Sequence, residues 1–219
     1  MKSFPNMQQP DGSLYCGAYC VVATLYAFDK LPFTAPPSLN RYDIQTKSFS
    51  GPKLDIVDSS NLTDLALELY KVTGILTKGT NPEYGHHSES YNSLGAMLYI
   101  LQECGLKAEV VFQDQAALEA IQKNFPIEFE LIETLGSPIE ILANDPPSPK
   151  ASTPKDSVLI SVIEHSDLHY VANNDRGEWF DSDMDNHLYH WKPIEEWKSD
   201  QEEKREGASW YGVSIRVRE

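Results

Sequence analysis

Cysteine is scarce in this chain: Cys16, Cys20 and Cys104 are the three in 219 residues. A small, odd number leaves no disulfide framework and points to a reducing working environment. Also missing is any apolar run near the roughly 18 residues of a spanning helix, and no basic stretch leads into an apolar one at the start of the sequence. Neither a membrane span nor a classical secretory peptide is therefore expected. Positive charge is short as well: 18 Lys and Arg against 33 Asp and Glu give a net charge of −15. That balance argues against nucleic acid or an anionic membrane as partner and favours a solvated acidic surface or basic ligands. No internal repeat is visible.

What is present suffices for a sizeable core, with 41% hydrophobic and 11% aromatic residues, and residues 1–219 are read as one domain. Ser13 is expected to cap a helix from about Leu14 to Ala27, where Ala18, Val21, Val22, Leu25 and Tyr26 recur at helical spacing. Residues 30–58, with Pro32, Pro36, Pro37 and Pro52, read as an irregular excursion. Asn61 or Ser60 caps a second helix ending near Gly74, and Lys78 to Asn92 is a loop bordering a cleft. A third helix, Ser93 to Glu103, stops at Gly105 before a strand from Lys107 to Gln113 and a short helix from Asp114 or Gln115.

After Phe125-Pro126 the pattern predicts strands at Ile127–Glu133, Pro138–Ala143, Ser157–Glu164, His169–Asn173 and Glu178–Asp181, with a loop at Pro146–Pro154. A charged surface helix, Ile194 to about Glu203, and a closing strand, Ser209–Val217, complete the reading. Helices first and then a mostly antiparallel sheet is α+β.

The chemistry sits at Gln8-Gln9-Pro10-Asp11-Gly12-Ser13-Leu14-Tyr15-Cys16-Gly17. A cysteine opening an apolar helix meets backbone amides that favour a thiolate, and an upstream carboxamide can donate to a developing oxyanion. The base is His169, opening a short strand, and Asp181 follows across the turn Asn174-Asp175-Arg176-Gly177. Two adjacent antiparallel strands then carry an imidazole and a carboxylate to orient it; Asp183 and Asn173 are alternative orienters.

These pieces resemble the papain-like cysteine peptidase superfamily in its cysteine-first order. Gln9, Cys16-Gly17, the His169-Tyr170-Val171 strand and Asp181 are similar to the bacteriocin leader peptidases. Gly12-Ser13-Leu14 before the thiol and Gly177-Glu178-Trp179-Phe180 after the histidine are similar to Josephin-type deubiquitinases, and bacterial effector proteases and deamidases share the layout. Gln9 lies seven residues before Cys16, further than the five or six usual there, so Gln8 and Gln9 both stay open as oxyanion donor. The resemblance implies a papain-like fold, a Cys16-His169-Asp181 triad, no cofactor, and hydrolysis of an amide in a protein substrate such as ubiquitin or a host protein. It also implies a cytoplasmic protein, or one delivered into a host cell. Deamidation, deubiquitination and a non-catalytic binding module are the alternatives.

Plainer readings compete. A cysteine in an apolar helix is by default inert core, as Cys20 and Cys104 are expected to be. Cys16 and Cys20, or His165 and His169, could hold zinc, but the second pair falls on strand and turn rather than one helical face. His86-His87 and His187-x-x-His190 read as surface residues, and Trp179 and Phe180 as core.

Overall fold

The computed structural model describes residues 1–86, 89–142, 153–185, 188–198 and 202–219. Helix α1 (Cys16–Ala27) is buried on every side, with only Tyr26 partly exposed, as a helix apolar all round its circumference must be. A small ladder follows, β1 (Leu39–Asn40) with β2 (Lys53–Leu54), inside the stretch expected to be irregular. Helix α2 (Leu62–Thr73) begins where Asn61 accepts from the Thr63 and Asp64 amides, so its start is set by that cap.

Strands β3 (Gly74–Leu76) and β4 (Tyr91–Asn92) pair across the loop expected to border the cleft. Ser93 caps α3 (Leu94–Glu103), and Gly105, at φ +76°, turns the chain into β5 (Lys107–Phe112). Asp114 then caps α4 (Gln115–Asn124), which runs into α5 (Pro126–Thr134). The remaining strands are β6 (Ile139–Ile141), β7 (Ser157–Glu164), β8 (Leu168–Asn174), β9 (Trp179–Phe180) and β10 (Ser209–Arg218).

The main sheet has the order β6-β5-β10-β7-β8-β9, antiparallel except for the parallel β5–β6 pair. The last strand in sequence is therefore central, bonded to both β5 and β7. Helix α1 packs between α2, α3 and β8. A second cluster of Trp179, Trp197, Ile194 and Leu159, flanked by Trp191 and Trp210, covers another part of the sheet. The class is α+β, as the sequence order implies.

Several expectations are corrected. Ser13 does not cap α1: its Oγ is buried with no hydrogen-bond partner among the described residues, and Tyr15 holds the cap position without a side-chain bond. Residues 127–133 form helix, not strand. The alternation of Ile127, Phe129 and Leu131 mimics a strand, but Pro126 pre-sets a first turn and the buried Glu128, Leu131 and Ile132 fall at helical spacing. Glu128 is itself tied to α3 by accepting from the Gly95 amide at 2.7 Å.

Of the helix expected over 194–203, only a 3-10 turn, Ile194–Glu196, forms among the described residues, because Ile194 and Trp197 plug into the tryptophan cluster. Residues 199–201 lie outside the described residues. So do Ala143 at the end of the expected 138–143 strand, most of the loop expected at 146–154, and His87 and His187.

Ile160 is fully buried on the central strand β7, opposite Ile215 and Ala172. Ile160→Ala removes three buried carbons and leaves a cavity between sheet and helices. A loss of about 2–5 kcal/mol in denaturant unfolding is expected, without a change in fold by circular dichroism.

Candidate active site

Cys16 is the first residue of α1 and lies 8% exposed. The N-cap residue Tyr15 makes no side-chain capping bond, so the amides of the first turn receive none from it. The glycine that follows has a steric reason. A Cβ on Gly17 would sit 2.6 Å from the Asn92 Cβ and 2.9 Å from the Met97 sulfur, so the start of α1 is packed as closely as a backbone allows against β4 and α3.

His169 stands in β8 opposite Ile163 of β7. The β8–β9 register, Ala172 with Phe180, continues to put Asp181 diagonally across from His169 rather than directly facing it. The diagonal suffices: His169 Nε2 and Asp181 Oδ1 are 2.7 Å apart. With Nε2 held by the carboxylate, Nδ1 is the nitrogen left for the thiol, and Cys16 acts on the imidazole through its charge and hydrogen bonding. The structure thus brings Cys16, His169 and Asp181 together.

Burial disfavours the imidazolium. The Cys16 charge and the hydrogen bonds the imidazolium makes to Asp181 and Cys16 outweigh it, and the pKa of His169 rises from 6.5 to about 10. Burial likewise works against the Asp181 carboxylate, but the His169 bond and charge, the Arg205 charge and the Asp183 amide at 3.0 Å pull its pKa below the usual carboxylate value. Arg205 bonds Asp181 Oδ2 and also holds Asp183 at 2.6 Å.

The two glutamines separate clearly. Gln8 is exposed. Gln9 is 5% exposed and lines the cleft; its Nε2 donates to the Ser13 carbonyl at 2.9 Å, and its Oε1 accepts from Ser182 Oγ at 2.9 Å. The backbone bond from the Gln9 amide to the Ser182 carbonyl, 2.8 Å, fastens this N-terminal segment beside Asp181. Of the alternative orienters, Asp183 reaches the pair through Arg205, and Asn173 binds Thr153 Oγ1 instead.

The cleft in front of Cys16 and His169 encloses about 480 Å³. One part of its wall is apolar, made by Leu76, Leu94, Ile121, Phe125, Val162 and Leu168, and the loop at Lys78, Gly79 and Thr80 forms its edge as expected. At the mouth, Lys78 and Tyr91 both bond Asp167 Oδ2, at 2.6 and 2.7 Å, linking that loop to the β7–β8 turn.

The other cysteines are remote from such chemistry. Burial pushes the Cys20 thiol well above its ordinary pKa, and Cys104 up to about 12. Among the described residues no three His, Cys, Asp or Glu side chains come together as metal ligands. Among the described residues, His165 bonds a neighbouring serine, and His86 and His190 bond backbone carbonyls.

Sequence reasoning missed two residues of the site. Arg205 fell inside an acidic-basic run that reads as solvated surface. Asn92 follows a tyrosine at the end of a loop and has no local signature at all. Its Nδ2 lies 2.7 Å from the Leu14 carbonyl and 3.8 Å from Cys16 Sγ.

Compared with known protein families, residues 8–219 match the family described as Invasion plasmid antigen J, cysteine protease. No curated protein and no solved structure matches.

A titration follows from the imidazole. His169 has its folded pKa above its unfolded value, so the stability it contributes is fully present below about pH 6.5 and is lost as pH rises through about 10. The melting temperature of the wild type should exceed that of His169→Gln most below pH 6.5, with the gap closing towards pH 10. A gap that stays constant over that range means no imidazolium is held there.

Proposed function

The chain belongs to this family of papain-like cysteine proteases, and on that premise we propose that it hydrolyses a peptide bond of a protein substrate through Cys16, His169 and Asp181, as one catalytic domain spanning residues 1–219. The observation that carries the assignment is the bond between Asp181 and His169 Nε2, on an imidazole whose pKa the Cys16 charge and hydrogen bond raise. Cys16 as thiolate attacks the carbonyl carbon, and the C–S bond forms while the carbonyl π electrons move to oxygen. The amide of Cys16 and the Gln9 carboxamide stabilise that oxyanion.

Collapse of the tetrahedral intermediate expels the amine, which takes its proton from the His169 imidazolium, and a thioester remains on Cys16. Water, deprotonated by the now neutral His169, attacks the thioester and releases the acid. Asp181 keeps the imidazole in the rotamer and tautomer needed for both transfers. A histidine with pKa near 10 is protonated at neutral pH and so is ready as the acid for the leaving amine.

The apolar wall of the cleft supports a peptidase that takes a large apolar group beside the scissile bond. A cleft of about 480 Å³ is generous for a tail that ends in glycines, so ubiquitin is the less favoured substrate and a host protein met after delivery the better one. The excess of acidic residues favours a substrate with a basic face.

The test is cleavage of a peptide library, beside a ubiquitin-based thiol probe, by the wild type, Cys16→Ala and His169→Ala. Cleavage next to large apolar residues, absent in Cys16→Ala and lowered about 10²–10⁴-fold in His169→Ala, is expected. Cleavage that survives Cys16→Ala sinks the mechanism; a stoichiometric ubiquitin adduct reassigns the substrate.

A further inference from the structure

We propose that Asn92 is a further catalytic residue, whose carboxamide donates a hydrogen bond to the Cys16 sulfur and stabilises the negative charge that sulfur carries as nucleophile. The inference rests on the assignment of Cys16 as nucleophile. Asn92 is 6% exposed, ends β4 and lines the cleft. Its Nδ2 has two protons. One points to the Leu14 carbonyl at 2.7 Å; the other has Cys16 Sγ, 3.8 Å away, as its acceptor, a distance within reach for a large sulfur.

Which end of the carboxamide faces the sulfur is not left free. The Leu14 carbonyl, an acceptor only, requires the nitrogen on that side, and Thr73 Oγ1 donates to the Oδ1 at the other end at 2.7 Å. The backbone is held too: the Ser93 amide donates to the Thr73 carbonyl at 2.7 Å, and Tyr170 Oη donates to the Asn92 carbonyl at 3.3 Å. The absent side chain at Gly17 supplies the space, since a Cβ there would collide with Asn92 Cβ and Cγ at 2.6 and 2.7 Å. Four separate elements, α1, α2, β4 and β8, therefore converge to place one amide nitrogen against the nucleophile.

The physical gain is specific to the charged sulfur. A thiol accepts hydrogen bonds weakly, whereas a largely buried thiolate gains much more from a donor. The other titratable groups facing Cys16 are His169 and Tyr170 from β8, Tyr70 from α2 and Cys20 from its own helix, with Asp181 behind His169. Of these only His169 carries positive charge. Burial pushes the Tyr70, Tyr170 and Cys20 groups upward, so they stay neutral and offer no second charge. Asn92 is thus the neutral donor that complements a single imidazolium.

The experiment follows the rate of Cys16 alkylation by iodoacetamide against pH, with the modified residue identified by mass spectrometry. It compares the wild type with Asn92→Leu, Asn92→Ser, Thr73→Val and His169→Ala, using variants whose melting temperature stays near that of the wild type. Losing a hydrogen bond to a charged group is expected to move the midpoint of the Asn92→Leu and Asn92→Ser profiles upward by about one pH unit, a tenfold smaller thiolate fraction. Thr73→Val, which frees the carboxamide to rotate, should move it the same way by less.

Asn92→Ser, which brings in no apolar side chain, separates the lost donor from the desolvation that leucine itself adds. Asn92 profiles that superimpose on the wild type overturn the proposal. The triad stands or falls on a different arm: a His169→Ala profile identical to the wild type defeats the thiolate-imidazolium pair while leaving the Asn92 result to be read on its own.

Discussion

The Asp181 carboxylate has no solvent-exposed side-chain surface and keeps its negative charge all the same. An ion in that position is tolerated only if its oxygens are fully bonded, because desolvation of a bare carboxylate costs several kcal/mol by order of magnitude. Here one oxygen takes His169 Nε2 and the Asp183 amide, and the other takes Arg205. Each partner comes from a different piece of chain. β8 delivers the histidine, the turn after β9 the amide, and the segment leading into β10 the arginine. Satisfying a single buried charge therefore orders three surrounding segments at once, and the same bonds orient the imidazole that faces the thiol.

The other half of the site is set by shape. α1 is apolar all round and must be enclosed, so α2, α3 and β8 close on it and only its N-terminus reaches the cleft. A residue at that terminus is held by backbone on one side and exposed to the cleft on the other, which is what a nucleophile requires. Gly17 carries this further by letting Asn92 approach. The N-terminal segment is tied to the sheet through the paired Gln9–Ser182 bonds, so the candidate oxyanion donor and the charge that orients the base share one anchor. A disturbance on either side is transmitted to both.

Legibility in the sequence followed the range of the determining interaction. Asn61, Ser93 and Asp114 cap helices through bonds spanning two or three residues, and each boundary was readable from those residues. The thiol, the histidine and the aspartate were readable because each sits at a recognisable local position: a helix start, a strand start and a strand end after a turn. α5 was misread because Ile127, Phe129 and Leu131 alternate, and only the tertiary burial of Glu128 against α3 decides for helix. The helix expected after Ile194 fails for a similar reason: Trp197 is worth more in the tryptophan cluster than on a helix surface, and Arg205 folds back to a carboxylate 24 residues earlier. Arg205 and Asn92 act across distances in sequence at which no local pattern exists.

Charge at the site runs against charge in the molecule. The chain as a whole carries −15, yet around Cys16 the negative groups Asp181 and Asp183 meet His169 and Arg205 in near balance. The surrounding negative potential is not wasted on this arrangement. It favours the protonated imidazole, whose positive charge is in turn what a thiolate needs beside it. Arg205 divides its guanidinium between Asp181 and Asp183. The imidazolium is held by the two groups it touches, Cys16 and Asp181, and the net charge of the chain adds to that local balance rather than replacing it.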